Sequence, residues 1–537
     1  MKRFKDMKSK WALILAFVMI VSVVVPAVLF SATDNVNAAT GKSYDKTSLS
    51  YTGTYTDISL KKDADFKNAK YVSSSDEIIS ALQSAKAGDV IIIKGGTYKF
   101  STSVIVNNTI NGQDGSYIIV KAEDNHDVKF DFSAQVFNSQ NRGFILDGDY
   151  WYFGGINFYG AGDNGVLLAG NNNIFERCVF EANRDTGLQL SRYDTTAATK
   201  DLWPSNNLII NCTAFNNCDF PEQGGTGENA DGFAAKLTCG EGNVFDGCIS
   251  YCNSDDGWDL YAKSVSGEIG AVTIENCVTY NNGWLTTDDV TAKGYEYGEG
   301  NGFKLGGGQM KGAHVLKNSI SFDNHAKGIT SNSCPDCKII NCISYNNSLD
   351  NSAYNVGLNT KDSNIKAWEV TGLISLNNSK NTKLEDLIPF ALHSENNYIY
   401  DGAASYNNKG EQATEDWFEN VDTSVKPTRN EDGTINMHNL LLLKDTSKNT
   451  GAVLDVTSDA AKSVKPAKTT VVEEEKVVYE MRQDADGNWH YYANDKIATD
   501  YCGMALNEYG WWYIKNGDVD FTYTGTAGGI STTDSLT

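Results

Sequence analysis

The sequence predicts an all-β chain whose main part is a parallel β-helix closed on an asparagine ladder. Three observations carry this expectation. The first is a pattern that recurs from the middle of the chain onward: a small residue or Cys, an aliphatic, a small residue, an aromatic, then Asn-Asn or similar. It reads Cys212-Thr-Ala-Phe-Asn-Asn217, Cys248-Ile-Ser-Tyr-Cys-Asn253, Cys277-Val-Thr-Tyr-Asn-Asn282 and Ser319-Ile-Ser-Phe-Asp-Asn324. It continues as Cys342-Ile-Ser-Tyr-Asn-Asn347, Leu373-Ile-Ser-Leu-Asn-Asn378 and Ala403-Ala-Ser-Tyr-Asn-Asn408, with degenerate copies ending at Gly160 and Asn183. Successive copies end 23 to 42 residues apart. The second observation is a glycine column in step with the first: Gly165, Gly187, Gly232, Gly257, Gly302 and Gly328. The third is that five of the eleven cysteines, Cys178, Cys212, Cys248, Cys277 and Cys342, fall at one position of the repeat, as buried packing residues would. A coil of this kind buries its inner face only by stacking on its neighbours. Asn tolerates the left-handed backbone of a tight turn, and its amide can bond to the next Asn of the stack. The strands of a β-sandwich would have no reason to repeat one side-chain order so often.

The elements follow in order. Residues 1–38 read as a secretory signal: Lys2, Arg3, Lys5, Lys8 and Lys10 against one acid, Asp6, then an apolar run from Trp11 to Phe30, then a small-residue cleavage site at Val36-Asn37-Ala38-Ala39. A run of that length could also anchor in a bilayer, but Pro26 and the small residues favour cleavage. The mature chain is therefore expected to be secreted, outside any membrane. The solenoid spans residues 39–443, opening with a capped amphipathic helix at Ser75-Asp76-Glu77 and a first strand at Asp89-Val-Ile-Ile-Ile93. Such a helix shields an open sheet edge. The gap from Asn to Gly is four or five residues in most coils but 15 between Asn217 and Gly232 and 20 between Asn282 and Gly302. Those long loops wall a cleft around the coil of Asn253 and Gly257. Residues 444–478, rich in Ser, Thr, Lys, Asp and Glu, read as a linker. Residues 479–537 hold two aromatic copies, Gly487-Asn-Trp489-His-Tyr-Tyr492 and Gly510-Trp-Trp512-Tyr-Ile514, expected as a small β-hairpin repeat module. These copies resemble the choline-binding-like, cell-wall-binding repeats of Gram-positive surface proteins. The resemblance implies a cell-wall polymer as partner and retention at the cell surface; a small aromatic folding unit without ligand is the alternative.

Charge narrows the partners. The formal net charge is -23, and removing a signal with five basic and two acidic residues takes it to -26. That excludes nucleic acid and anionic membrane as partners, and an acidic substrate would need a cation to bridge it. The eleven cysteines are an odd number and do not read as a disulfide framework. A monomer is expected.

Chemistry concentrates in three segments: Asn229-Ala-Asp231-Gly232-Phe233, Asn253-Ser-Asp255-Asp256-Gly257-Trp258-Asp259 and Asn301-Gly302-Phe303-Lys304. Aligning their glycines puts Asp231, Asp256 and Asn301 in one column and Ala234, Asp259 and Lys304 in another, on strands about 4.8 Å apart. Asp231 then stands beside Asp256, with Asp255 in the same turn and Asp259 three residues on. Carboxylates that close repel one another without a counter-ion, and a cluster of hard oxygens suits Ca²⁺. Lys304 stands one coil from Asp259. By position it is a salt-bridge partner or, with its pKa lowered by a nearby cation and burial, a base. A metal and a base together suit abstraction of the proton α to a uronate carboxyl group, followed by β-elimination.

These motifs resemble the pectate lyases of polysaccharide lyase family nine, over roughly residues 60–443. The resemblance implies a right-handed β-helix that cleaves polygalacturonate by β-elimination, with Asp231, Asp255, Asp256 and Asp259 as Ca²⁺ ligands and Lys304 as base. Lys236, Lys263 and Arg192 lie near the same face of the repeat and either pair with galacturonate carboxylates or are ordinary surface charges. Cys334-Pro-Asp-Cys337 has the spacing of half a zinc site but lacks a second half, and reads as a turn. Two alternatives remain. A β-helical polygalacturonase would hydrolyse with a carboxyl pair, but the Gly-His-Gly and Arg-Ile-Lys segments by which such enzymes resemble one another are absent. A non-catalytic carbohydrate-binding β-helix would use calcium structurally and give Lys304 no special role.

Overall fold

The computed structural model describes residues 58–59, 61–286, 298–348, 353–360, 367–378 and 384–454, and most of 479–531. The secretory segment and residues 287–297 of the second long loop lie outside the described residues. The chain divides into two compact units, Met1–Asp455 and Val456–Thr537.

The first unit is a solenoid of three sheets, of eleven, ten and nine strands, and every neighbouring pair in them is parallel. Each sheet takes one strand from each successive coil. The eleven-stranded sheet runs from Lys70–Val72 to Glu369–Thr371, the ten-stranded from Gly96–Lys99 to Ile374–Leu376, and the nine-stranded from Val104–Val106 to Val356–Gly357. The expected helix spans Ser75–Ser84; Ser74 Oγ accepts from Glu77 N, and Ile78, Ala81 and Leu82 are buried in the end of the core. The first expected strand is Val90–Ile93.

Inside, alternate residues of each strand meet their counterparts one coil away. Phe153 stacks on Phe175 at 5.1 Å and Phe158 on Phe180 at 5.7 Å. Cys178, Cys212, Cys248, Cys277 and Cys342 are free and fully buried, so the cysteine column is a packing column. Cys334 and Cys337 are buried in the same core rather than at a metal site.

The asparagine ladder follows the ten-stranded sheet. Each Nδ2 donates to the Oδ1 of the next, from Asn183 through Asn217, Asn253, Asn282 and Asn324 to Asn347, at 2.8 to 3.0 Å. The glycine column exists because of this ladder. A Cβ on Gly257 would lie 2.9 Å from Asn282 Nδ2 and 2.2 Å from Thr279 Oγ1, so the side chain must be absent for the amides to stack.

The final copies differ from expectation. Asn347 donates to Asn355, only eight residues on, instead of to Asn378; Asn378 pairs with Asn346 outside the ladder. The copy ending at Asn408 is not a coil, because Ser405–Tyr406 pairs antiparallel with Ile399–Tyr400 and Gln412–Ala413. The following chain folds back over the ten-stranded sheet, burying Met437, Leu440 and Leu441 against Phe322 and Tyr345. Residues 444–454 belong to this cover rather than to a linker: Val453 N donates to Asn318 Oδ1 and Gly451 N to Gly372 O.

The second unit holds an antiparallel sheet that includes Tyr479–Gln483, Trp489–Ala493, Cys502–Asn507 and Gly510–Lys515. Trp512 and Ile514 are buried, and His490 bridges Asp484 and Asp518 through its two ring nitrogens.

Candidate active site

Alternation along three strands builds the site. Phe233–Ala235, Trp258–Asp259 and Phe303–Lys304 are successive neighbours in the nine-stranded sheet. Phe233, Trp258 and Phe303 point inward and stack at 5.0 Å, fixing the strand register from below. The alternate positions, Ala234, Asp259 and Lys304, therefore form one outward column, as the glycine alignment predicts. In the turn before it, Asp256 N donates to Asp231 Oδ1 at 3.2 Å, and Asn301 donates to Asp256 Oδ1 from its backbone N at 2.9 Å and Nδ2 at 2.8 Å. That is the second expected column.

Carboxylate oxygens of Asp231, Asp256 and Asp259 lie within 4.8 Å of one another. Asp255 is outside this trio. It is buried, and its Oδ1 accepts Glu299 N at 2.8 Å, which ties the end of the second long loop to the turn. Two ammonium groups enter the cluster. Lys304 Nζ stands 2.9 Å from Asp256 Oδ2 and 3.8 Å from Asp259 Oδ1, and Lys236 Nζ stands 2.6 Å from Asp231 Oδ2 and 3.5 Å from Asp259 Oδ2.

The first long loop packs at the rim. Asp219 organises it, its Oδ2 accepting from Thr226 N and Asn229 Nδ2 at 3.0 Å. Phe220 covers Cys218 and Leu285, so the bases of the two loops share a small apolar contact.

The electrostatics follow from burial of like charges. Burial, then Asp259 and Asp256, push Asp231 up to about 8 against the pull of Lys236. Asp255 and Asp259 are raised for the same first reason, burial. Burial opposes the charge on Lys304, but Asp256, Asp259, Asp255 and Asp231 together hold it well above the usual lysine range. Lys236 is raised likewise, by Asp231, Asp259 and Asp185 against its burial.

This arrangement fits a divalent cation. Asp256 Oδ2 and Asp259 Oδ1 are buried and accept no hydrogen bond; Lys304 is near both but misaligned for one. With all four buried carboxylates ionised, as a bound cation would require, the two ammonium groups leave an excess of two negative charges. Hard oxygens in that number, with two lone-pair sites unspent, are the donor set of Ca²⁺ rather than of a softer metal.

The remaining expected contacts separate. Lys236 is not an ordinary surface charge: it is a partly buried member of the cluster, paired with Asp231. Lys263 is exposed in a tight turn, its carbonyl accepting from Gly267 N. Arg192 Nη1 donates to Ala197 O within its own loop. Neither has a contact with the carboxylates among the described residues. Three side chains escaped the sequence reading: Glu299, 3.8 Å from Lys304 Nζ and bonded to Asn301 Nδ2; Asn301 itself as a donor to Asp256; and Tyr261, whose ring centroid is 5.9 Å from Lys304 Nζ. The Gly-Glu-Gly setting of Glu299, at the return of a long loop onto the turn, was the available signal.

Comparison with known proteins bears on the family and the fold. Residues 59–364 match the family described as Pel9A-like, right handed beta helix region. A pectate lyase L of Paenibacillus polymyxa is 40% identical over 68% of this chain and 76% of its own length. A pectate lyase L of Thermoclostridium stercorarium is 41% identical over 64% of this chain but only 26% of its own length. The crystal structure of pectate lyase Pel9A superposes with a TM-score of 0.53 at 30% identity, covering 69% of this chain and 84% of that one. A rhamnogalacturonan lyase shares the fold, with a TM-score of 0.54 at 22% identity. With a family match that spans more than half its length and a relative 40% identical over 76% of that relative's length, this chain belongs to the Pel9A-like right-handed β-helix family of pectate lyases.

Proposed function

We propose that this chain is a secreted pectate lyase that cleaves α-1,4-polygalacturonate by calcium-assisted β-elimination, with Asp231, Asp255, Asp256 and Asp259 holding the cation and Lys304 acting as the base. The observation that carries the reading is the juxtaposition of one buried lysine with a carboxylate cluster whose free oxygens face it. Lys304 is fixed by Trp258 and Phe303 beneath it and by Asp256 beside it, so its Nζ has one defined place above the sheet. When bound, the cation supplies positive charge that pairs with a uronate carboxylate, acidifies the neighbouring C–H and, by offsetting the aspartates, lowers the lysine pKa. Lys304 Nζ takes the C5 proton; the C4–O4 bond breaks as the C4–C5 double bond forms, and the leaving oxygen takes a proton from solvent. Lys236 holds Asp231 and Asp259 in place and lessens their mutual repulsion. The aromatic C-terminal unit, by its resemblance to wall-binding repeats, is proposed to retain the monomeric enzyme at the cell surface.

Calcium binding tests the site directly. Calcium at a hundred times its dissociation constant is expected to stabilise the protein by about 2.7 kcal/mol, read as a rise in Tm, and Asp256→Asn to lose most of that rise. Because Asp231 holds its proton up to about pH 8 in the calcium-free protein, the cation must displace it, so affinity should increase as pH rises toward 8. A Tm indifferent to calcium at every pH would remove the metal from the account.

A further inference from the structure

Tyr261 is the aromatic side chain closest in register to the reacting centre, and its surroundings are built for it. It follows Asp259 by two residues; Leu260 and Ala262 on either side of it are buried, so it shares the outward face with Asp259. Its ring is half-buried and lies against Gly307 of the next coil, the middle residue of Gly306-Gly307-Gly308. A Cβ on Gly307 would sit 1.9 Å from Tyr261 Cδ2 and 2.3 Å from Cε2. Gly306 and Gly308 have φ of 135° and 59°, which exclude side chains for a second reason, backbone strain. Gly306 and Gly308 clear Cys334 and the Ala262 carbonyl, and Gly307 between them leaves the room that this ring fills. Lys304 Nζ stands 5.9 Å from its centroid, and among the described residues its hydroxyl has no hydrogen-bond partner. The ring is only half-buried, so it is not a core residue, and it shares the outward face with Asp259 and Lys304.

We propose that Tyr261 is a positioning residue for substrate: its ring, seated on the glycine bed beside Lys304, is the surface on which a uronate ring of the polymer stacks, setting the reacting carbon within reach of the base. The inference rests on the pectate lyase reading and adds to it a residue that works through packing. Aromatic rings offer large rigid contact area at small entropy cost, and the axial C–H face of a pyranose is the complementary surface. Lys304 at the ring is held from its outer side as well, by the same quadrupole.

Steady-state kinetics on a short galacturonate oligomer separate the possibilities. Tyr261→Ala should raise KM about tenfold or more, with the calcium-induced rise in Tm kept. Tyr261→Phe should stay within about twofold of the parent, because the ring and not the hydroxyl is used. Gly307→Ala keeps the tyrosine but pushes it off its bed, and should raise KM in the same direction. Unchanged kinetics of Tyr261→Ala would overturn the proposal. So would a Tyr261→Phe as damaged as Tyr261→Ala, which would move the role to the hydroxyl, or a Tyr261→Ala that has lost its calcium response. Lys304→Ala measured alongside keeps the two readings apart: full activity there defeats the base assignment, whereas an inactive Lys304→Ala with a normal Tyr261→Ala defeats only the stacking surface.

Discussion

Lys304→Ala is expected to lower the rate of unsaturated-product formation by about a hundred- to ten-thousandfold, the range for loss of a positioned base. The fold should survive, because the residue is outward and the register beneath it is set by Phe233, Trp258 and Phe303. Calcium should bind at least as well, since removing one of two ammonium groups leaves Asp256 and Asp259 with less compensation. Lys304→Arg sharpens the test. It keeps the positive charge beside Asp256 but has no accessible neutral form. If the lysine serves only as a counter-charge, arginine restores activity; if it takes a proton, arginine fails as alanine does.

The largest stability effect is expected at Asn253→Ala. The Asn253 amide accepts from Asn217 N and Nδ2 at 3.3 and 2.8 Å and donates to Asn282 Oδ1 and Ser250 Oγ at 3.0 Å. Asn217 N is then left without a partner in a buried site, while Asn217 Nδ2 keeps Phe180 O, Ser250 Oγ keeps Gly257 O and Asn282 Oδ1 keeps the backbone N of residue 253. At about 1–3 kcal/mol for the stranded amide and about 0.5–1.5 kcal/mol for each of the other buried bonds lost, the variant should lose about 3 kcal/mol or more, measured as a lower denaturant midpoint at unchanged slope. Because Asn253 is two residues from Asp255, weaker calcium binding should accompany it. A loss below about 1 kcal/mol would mean that the ladder is ornament on a core that holds itself.

What the sequence revealed and what it hid follow from what a repeat can encode. Asn and Gly recur because each coil needs an amide in the stack and a bare backbone opposite it, the left-handed corner falling one residue earlier at Asn216, Cys252 and Asn281; the columns of Asp256 and Asp259 could therefore be aligned from sequence alone, and Asp259 pairs with Lys304 as the alignment requires. The repeat is blind to strand direction. Ala403-Ala-Ser-Tyr-Asn-Asn408 has the same residue order as a coil, yet a turn at Asp401–Ala404 sends it back antiparallel. Lys236 was underrated for a related reason: it sits just before Leu237, whose φ of 68° ends the strand, and nothing in the pattern says that its side chain turns back to Asp231. A second ladder, Asn173 to Asn207 to Asn243, passed unnoticed although its spacing is as regular; each of these residues stands at the start of a strand of the eleven-stranded sheet and lacks the aromatic two residues before it that marks the first. Tyr261 was invisible because its significance lies in glycines on the next coil.

The most direct test of the central claim is ultraviolet absorbance during digestion of polygalacturonate, first with calcium and then with excess chelator. A chain that eliminates with the help of a cation bound at Asp231, Asp255, Asp256 and Asp259 should produce a steady rise from the conjugated double bond, abolished by chelator and restored by added calcium. New reducing ends without that absorbance, or a rise indifferent to chelator, would contradict it.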